Sequence, residues 1–495
     1  MAIGVCVVAD AARAQSGAGE EVARRQLDSG RSFARQGNYV EALKDFRAVA
    51  ETHAQTSVAD DAWLELARYY FDVARDDSQS QTAVDAILSN YATSDSAPAA
   101  YVIAGRMALG RSRSAADLDA ALANFDRVSR LFPNSEMVPR ALQLAGETLF
   151  YAGRLDEAQA RLGRVTADYA SDPAAADAYL VSGQVLAAMG DPILAMEELQ
   201  QVRNRFPDTP AAETALNRLT LLHRLYVRAA KGPAYTAADA VGPARLENVV
   251  GLTLTGDNRL VWATETGVGV ALPAGAPAIS FAGKPRGLTL DSRGRVVPFD
   301  NMAVRPESGS SMQFAAAPEP NGIPKLFEHL VAVASLSTGE WLVMDEDQRA
   351  IMRFGRDASF VGPFAANRVL RLAVSSHDQV AAIDRDGRGI SIYDAKGAVL
   401  AQIPSRTTAY DLRDAEDVRF DDFGHVYVLG RDKLAVFTPF GTQAPAGKPS
   451  YRLLTLFATP QGQTNVLSRG AALAVDSAGT VYVYDERSRR IQVFR

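Results

Sequence analysis

Apolar positions along this chain follow two different rhythms. From Glu20 to about Arg228 they recur at helical spacing, with breaks near Gly37, Ser94, Pro133, Gly153, Pro173, Gly190 and Pro207. That pattern predicts paired helices of about a dozen to eighteen residues. From about Asn248 onward the interval shortens to two. Gly470 to Phe494, GAALAVDSAGTVYVYDERSRRIQVF, reads as an apolar strand, an Asp-Ser-Ala-Gly turn, an alternating strand, a charged loop and a third strand. The same grammar runs through GLTLDSRGRVVPFD from Gly287 and VRFDDFGHVYVLG from Val418. Short strands recurring at this spacing predict a closed ring of small sheets.

In the helical half, Gly30, Phe33, Gly37, Tyr39, Ala42 and Phe46 form a set that Gly146, Leu149, Gly153, Leu155, Ala158 and Leu162 repeat. Gly183, Leu186, Gly190, Ala195, Leu199 and Pro207 repeat it again, with Pro192 in place of the usual aromatic. Small residues at Gly30, Gly146 and Gly183 let a partner helix approach, and the larger residues fill the next layer. The spacing resembles the tetratricopeptide repeat. Two looser repeats, with longer internal turns, begin at Trp63, Leu66, Ala67, Tyr70 and at Tyr101, Gly105, Ala121, Phe125, Val128, Pro133. Residues 20–228 thus read as an α-solenoid of five repeats with Thr209 to Arg228 as a capping helix. The junctions RLFPNS at 130 and RFPDTP at 205 resemble the repeats of bacterial envelope proteins, among them outer-membrane assembly lipoproteins and the Tol-Pal coordinator.

The resemblance implies that the first helix of each pair lines a concave groove and that the residue after the small Gly or Ala projects into it. Those positions are Arg31, Arg68, Arg106, Glu147 and Gln184, with Arg24, Arg35, Arg140 and Tyr151 beside them. Arginines one repeat apart make a positive stripe suited to an acidic or C-terminal peptide segment, because a guanidinium binds a carboxylate with two parallel bonds. The competing reading is that each arginine pairs with Asp61, Glu65, Asp72 or another local acid and binds nothing.

Residues 229–244, punctuated by Lys231-Gly232-Pro233 and Val241-Gly242-Pro243, read as a linker. Residues 245–495 read as six blades with inner strands beginning near Asn248, Arg286, Leu330, Val369, Ala415 and Gly470. Their turns are TGDN at 255, SRG at 292, STG at 337, SHD at 376, DFG at 422 and SAG at 477. Each needs left-handed backbone and satisfied turn amides. Asp476, Gly479, Tyr482, Val483, Asp485, Arg490, Ile491, Val493 and Phe494 resemble the NHL-type repeat, which implies a six-bladed β-propeller. Long insertions run from Met302 to Pro324 and from Pro439 to Thr464. The last blade holds three strands, so a segment between Tyr235 and Asn248 is expected to supply the fourth and close the ring.

Charge and chemistry narrow the function. Residues 1–232 carry 24 Lys and Arg against 30 Asp and Glu, and the remainder 28 against 28. Neither half has the basic balance of a nucleic-acid binder. The opening MAIGVCVVADAARAQSG has an apolar stretch from Ala2 to Ala9 and then Ala12-Arg13-Ala14, and reads as a truncated secretory leader (1–14) cut before Gln15. An ordinary unstructured N-terminus is the alternative. The single cysteine, Cys6, lies inside it, so the exported form would hold no thiol. No later run approaches membrane-spanning length. His53, His223, His329, His377 and His425 stand at no metal-ligand spacing, and no nucleophile elbow, phosphate loop or dinucleotide fingerprint occurs. The expectation is therefore an exported, envelope-associated, non-enzymatic scaffold with no metal or cofactor, binding a protein partner and, as a further option, a glycan or peptidoglycan fragment. The rival is a metal-dependent lactonase or lyase on the propeller, since gluconolactonases and amidating lyases use that architecture. Asp291, Asp421 and Asp476 follow inner strands, but the same positions begin turns.

Overall fold

The structure is a computed structural model describing residues 3–110, 114–275, 283–306, 310–318, 324–439, 451–458 and 467–495, with the side chains of residues 3–18, 317 and 318 outside it. The expected leader, residues 1–14 with its cut near Gln15, falls where side chains are not described, and so do parts of both long insertions.

Eleven α-helices precede the strands among the described residues: α1 Ile3–Arg35, α2 Tyr39–Arg47, α3 Ala59–Arg68, α4 Asp77–Asn90, α5 Ala97–Leu109, α6 Ala115–Leu131, α7 Val138–Tyr151, α8 Leu155–Asp168, α9 Pro173–Ala188, α10 Pro192–Arg205 and α11 Pro210–Leu222. Wider turns prolong α2 to Thr52, α3 to Ala74 and α11 to Arg228. Polar side chains set several starts: Asp76 Oδ1 accepts from Gln79 N, Ser114 and Asp117 form a reciprocal capping box, and Asp191 Oδ1 accepts from Leu194 N. A Cβ on Gly30 would stand 2.6 Å from Phe46 Cε1, and one on Gly146 2.6 Å from Leu162 Cγ. Those approaches explain why the repeat keeps glycine opposite a large residue: a methyl there forces the helices apart. Leu27, Phe46, Leu66, Ile87 and Met107 are among the buried residues of one continuous core in the first repeats.

By secondary structure the helices end at Arg228, but by packing the chain divides between Ala178 and Tyr179. The second unit therefore holds most of α9, all of α10 and α11, and a six-bladed β-propeller. Its inner strands are Val249–Leu254, Gly287–Leu290, Leu330–Ser335, Val369–Val374, Asp417–Phe420 and Gly470–Val475. Blades two to five are four-stranded antiparallel meanders, and blade one has three strands among the described residues. In blade six, Ala237–Val241 adds as the outer strand against Arg490–Phe494, with Ala238 opposite Val493. Residues from before blade one thus close the ring. A ribbon of Ala315–Pro318 against Pro324–Leu326 lies in the first insertion.

The turns after the inner strands share one backbone device. Asn258, Gly294, Gly339, Asp378, Gly424 and Gly479 all have positive φ, between 58° and 86°. Asp291, Asp421 and Asp476 precede three of these turns, and each accepts two turn amides through one carboxylate oxygen. Asp345 and Asp485, at the ends of second strands, fasten the next turn and also accept from His329 N and Ser468 N. These carboxylates are consumed by the fold.

Helix α11 and its extension rest on the turns of blades five and six. Leu221 packs on Gly479, where a Cβ would stand 2.5 Å from Leu221 Cδ1, and Arg224 Nη1 donates to Ala478 O at 2.9 Å. Arg218 Nε reaches Asp422 Oδ2 at 3.5 Å; burial pushes that carboxyl above its ordinary value while the arginine pulls it down. Below them runs a buried polar chain. Asp421 Oδ2 meets His425 Nδ1 at 2.8 Å, His425 Nε2 meets Tyr226 Oη at 2.8 Å, and Tyr226 Oη meets Thr438 Oγ1 at 2.8 Å. His425 and Thr438 are fully buried.

Candidate binding sites

In the helical unit, α1, α2 and α3 with its extension line an open groove of about 420 Å³. Its floor is Tyr39, Leu43, Phe46 and Tyr69, and its rim holds the exposed Val73 and Arg31, Arg35 and Arg68 with Glu65 and Asp72. The floor is aromatic because Tyr39 and Tyr69 meet at a tilt across the repeat boundary, with centroids 5.1 Å apart.

The arginines expected in the groove have distinct surroundings. Arg31 Nε donates to Glu65 Oε1 at 2.9 Å and lies 3.6 Å from Asp61, whose carboxyl burial raises against the pull of Arg31. Arg68 lies 3.8 Å from the same Glu65. Arg106 pairs with Asp72 at 3.1 Å and stacks 4.6 Å above the Phe71 ring. Arg140 pairs with Asp177 at 2.6 Å, and Arg24 with Glu20 at 3.1 Å. Arg35, on the exposed rim, makes no ion pair among the described residues. Glu147 accepts from Gln143 at 3.2 Å and from Tyr151 Oη at 3.2 Å. Gln184, within the second unit, donates to Asp422 O at 3.2 Å. The structure brings Arg31, Arg35 and Arg68 to one cavity and places the other six residues elsewhere. An arginine recurring once per repeat marks a ladder in which each repeat is tied to an acid on a neighbouring one, forward in the Arg31 and Arg140 pairs and backward in the Arg106 pair.

The propeller's channel is a second candidate. At the turn end of the inner strands it widens into a chamber of about 360 Å³, lined by Thr289, Ser335, Ser337 and Ser375 over an apolar wall that includes Leu372 and Phe420. Arg419 forms its floor, donating from Nη1 to Asp417 Oδ1 and Val418 O, each at 2.8 Å, and from Nη2 to Leu252 O at 3.2 Å. Because Leu252 belongs to blade one, this arginine ties blade five across the channel. Among the described residues no group of three or more His, Cys, Asp or Glu stands close enough to hold a metal ion.

No protein-family model matches the chain, and no curated protein matches it. Solved structures do resemble its halves. A tetratricopeptide-repeat protein of Thermus thermophilus is 18% identical over 39% of this chain and 96% of its own, with a TM-score of 0.30. Virginiamycin B lyase of Staphylococcus aureus is 11% identical over 52% and 99%, with a TM-score of 0.34. A Bacteroides thetaiotaomicron protein of unknown function is 10% identical over 52% and 72%, with a TM-score of 0.37. At these values the likeness adds nothing to the architecture already described.

Proposed function

We propose that this chain is an exported, envelope-associated, non-enzymatic scaffold whose first helical unit takes a short partner segment with an apolar anchor beside a carboxylate. The cavity between α1, α2 and α3 carries this reading. Its floor is apolar and aromatic, its volume of about 420 Å³ suits one or two side chains, and Arg35 stands on its rim with its charge unspent. Most of the anticipated arginine stripe is neutralised by acids on the same helix or on a neighbouring repeat, so the anchor supplies affinity and the single guanidinium supplies direction. Export rests on the leader-like residues 1–14. The propeller would then hold a second partner near the first and raise its local concentration.

Selection of displayed decapeptides on the full chain tests the groove. Enriched peptides should pair an aromatic or aliphatic anchor with Asp, Glu or a free C-terminus, and Arg35→Glu combined with Val73→Asp should abolish their binding. Val73 is 48% exposed, so the second change leaves the core intact. No enrichment, or enrichment that survives both substitutions, would overturn the proposal.

A further inference from the structure

The six inner strands can be superposed by their pairing to second strands. The pairs Gly251 with Ala263, Gly287 with Phe299, Ala332 with Met344, Arg371 with Ile383, Asp417 with Leu429 and Ala472 with Tyr484 put six residues at one level of the channel. Four are glycine or alanine. The space they leave is entered by one cation and one carboxylate, from adjacent blades. Two residues further along, the level of Thr253, Thr289, Ala334, Ala373, Arg419 and Ala474 brings in a second cation.

The charges at this mouth do not cancel. Asp417 is 2% exposed, and both its oxygens are committed: Oδ1 accepts from Val418 N and Arg419, and Oδ2 accepts from Leu473 N at 2.9 Å. It therefore neutralises Arg419. Arg371 donates only to Leu370 O, at 3.0 Å, and has no carboxylate partner among the described residues. Arg286, on the exposed rim of the same cavity, donates to the neutral Asn301 Oδ1 at 3.2 Å. The nearby acids are engaged: Glu346 bonds Arg385 at 2.9 Å, and Glu416 serves Arg388 and Arg431. A partly buried guanidinium facing a cavity of about 30 Å³, between walls of backbone and apolar side chains, lacks a carboxylate partner of its own. The cavity has room for a few oxygen atoms and none for a ring.

We propose that this end of the channel is an oxyanion site, in which Arg371 and Arg286 bind the carboxylate or phosphate group of a small ligand whose remainder stays outside the mouth. Guanidinium forks match both groups, and the low-dielectric walls strengthen the attraction. The site is independent of the helical groove and of any partner there.

Thermal melting and calorimetric titration of the full chain, at constant ionic strength set with sodium chloride, test it with inorganic phosphate in one arm and succinate in the other. A saturable rise in melting temperature with phosphate assigns a phosphoryl group, and one with succinate assigns a carboxylate. In either case Arg371→Gln should weaken binding at least tenfold, and Arg286→Gln severalfold. Without oxyanion, Arg371→Gln should melt no lower than the native chain, since it removes an uncompensated charge. Should Arg371→Gln fail to fold, exposed Arg286 still provides the readout. Absence of a saturable response in both arms, or native affinity in the Arg286 variant, would overturn the site.

Discussion

Tyr226→Phe is the sharpest probe of how the last helical segment is held on the propeller. The change keeps the ring, which lies 5.7 Å from the His425 ring, and removes one oxygen. That oxygen bonds His425 Nε2 and Thr438 Oγ1, each at 2.8 Å, and both partners are fully buried. Water cannot replace it without opening the contact, so the cost is that of removing one bond from each of two buried polar groups, about 1–3 kcal/mol. A domain of 150–250 residues shifts by roughly 2–4 °C per kcal/mol, and a larger unit by less. The expected fall is therefore about 2–6 °C in the transition of the second unit, with the first unit unchanged. Calorimetry reads the fall, and hydrogen exchange of the amides from Leu221 to Arg228 reads its location, since these should open before the blades do. Native melting with native exchange over that stretch would refute the idea that the buried chain fastens the helix.

Three further outcomes follow from the same unit. Burial raises the phenols of Tyr226, Tyr235, Tyr427 and Tyr451 above their ordinary value, and that of Tyr482 to about 12. Folded values above unfolded ones mean that this contribution is intact below about pH 10 and is lost as pH rises further, so urea midpoints should hold to pH 9 and then fall steeply. Gly479→Ala should cost about 2–3 kcal/mol, from a φ of +73° and from displacing Leu221. Gly424→Ala, at φ +79° with nothing nearer than 3.7 Å, should cost only the backbone part, and equal losses in urea titrations would dismiss the Leu221 contact. Replacing residues 237–241 by Gly-Ser-Gly-Ser-Gly keeps the connection but removes the outer strand of blade six; it should lower the melting temperature by more than about 5 °C, and an unchanged value would dismiss ring closure by this strand.

Much of this architecture is legible wherever one residue type alone satisfies the backbone. The blade turns can be found because left-handed geometry selects Gly, Asn or Asp, and Asn258, Asp378 and the four glycines stand there. Helix breaks at Gly37 and Gly153 are visible for the same reason. The break after Ala74 is hidden, because Arg75 takes φ +56° in place of a glycine. Spacing finds the groove arginines, but it cannot tell a free guanidinium from one tied to an acid of the next repeat. Arg31, with Glu65 one repeat away, and Arg35, with no such partner, look alike in one dimension. His425 resembles any isolated histidine, since its partner Tyr226 is far away in sequence and Asp421 looks like a turn residue. Arg371 and Arg419 emerge only when the six inner strands are placed in register, because four of the six blades carry Gly or Ala at the level of Arg371.

The strand that completes blade six has a bearing on biogenesis. Residues 237–241 leave the ribosome about 250 residues ahead of 490–494, their sheet partner among the described residues. Throughout that interval they present bare peptide groups and a ring with a gap, while α11 waits for turns at 421–425 and 476–480 that do not yet exist. The first eight helices depend on nearby segments and can assemble during synthesis; the rest of the molecule is committed only when its closing residues arrive. A ribosome stalled, or a protease cutting, a few residues short of Phe494 would thus release a chain with a finished front and an unsealed remainder, and quality-control machinery would recognise it by that exposed edge.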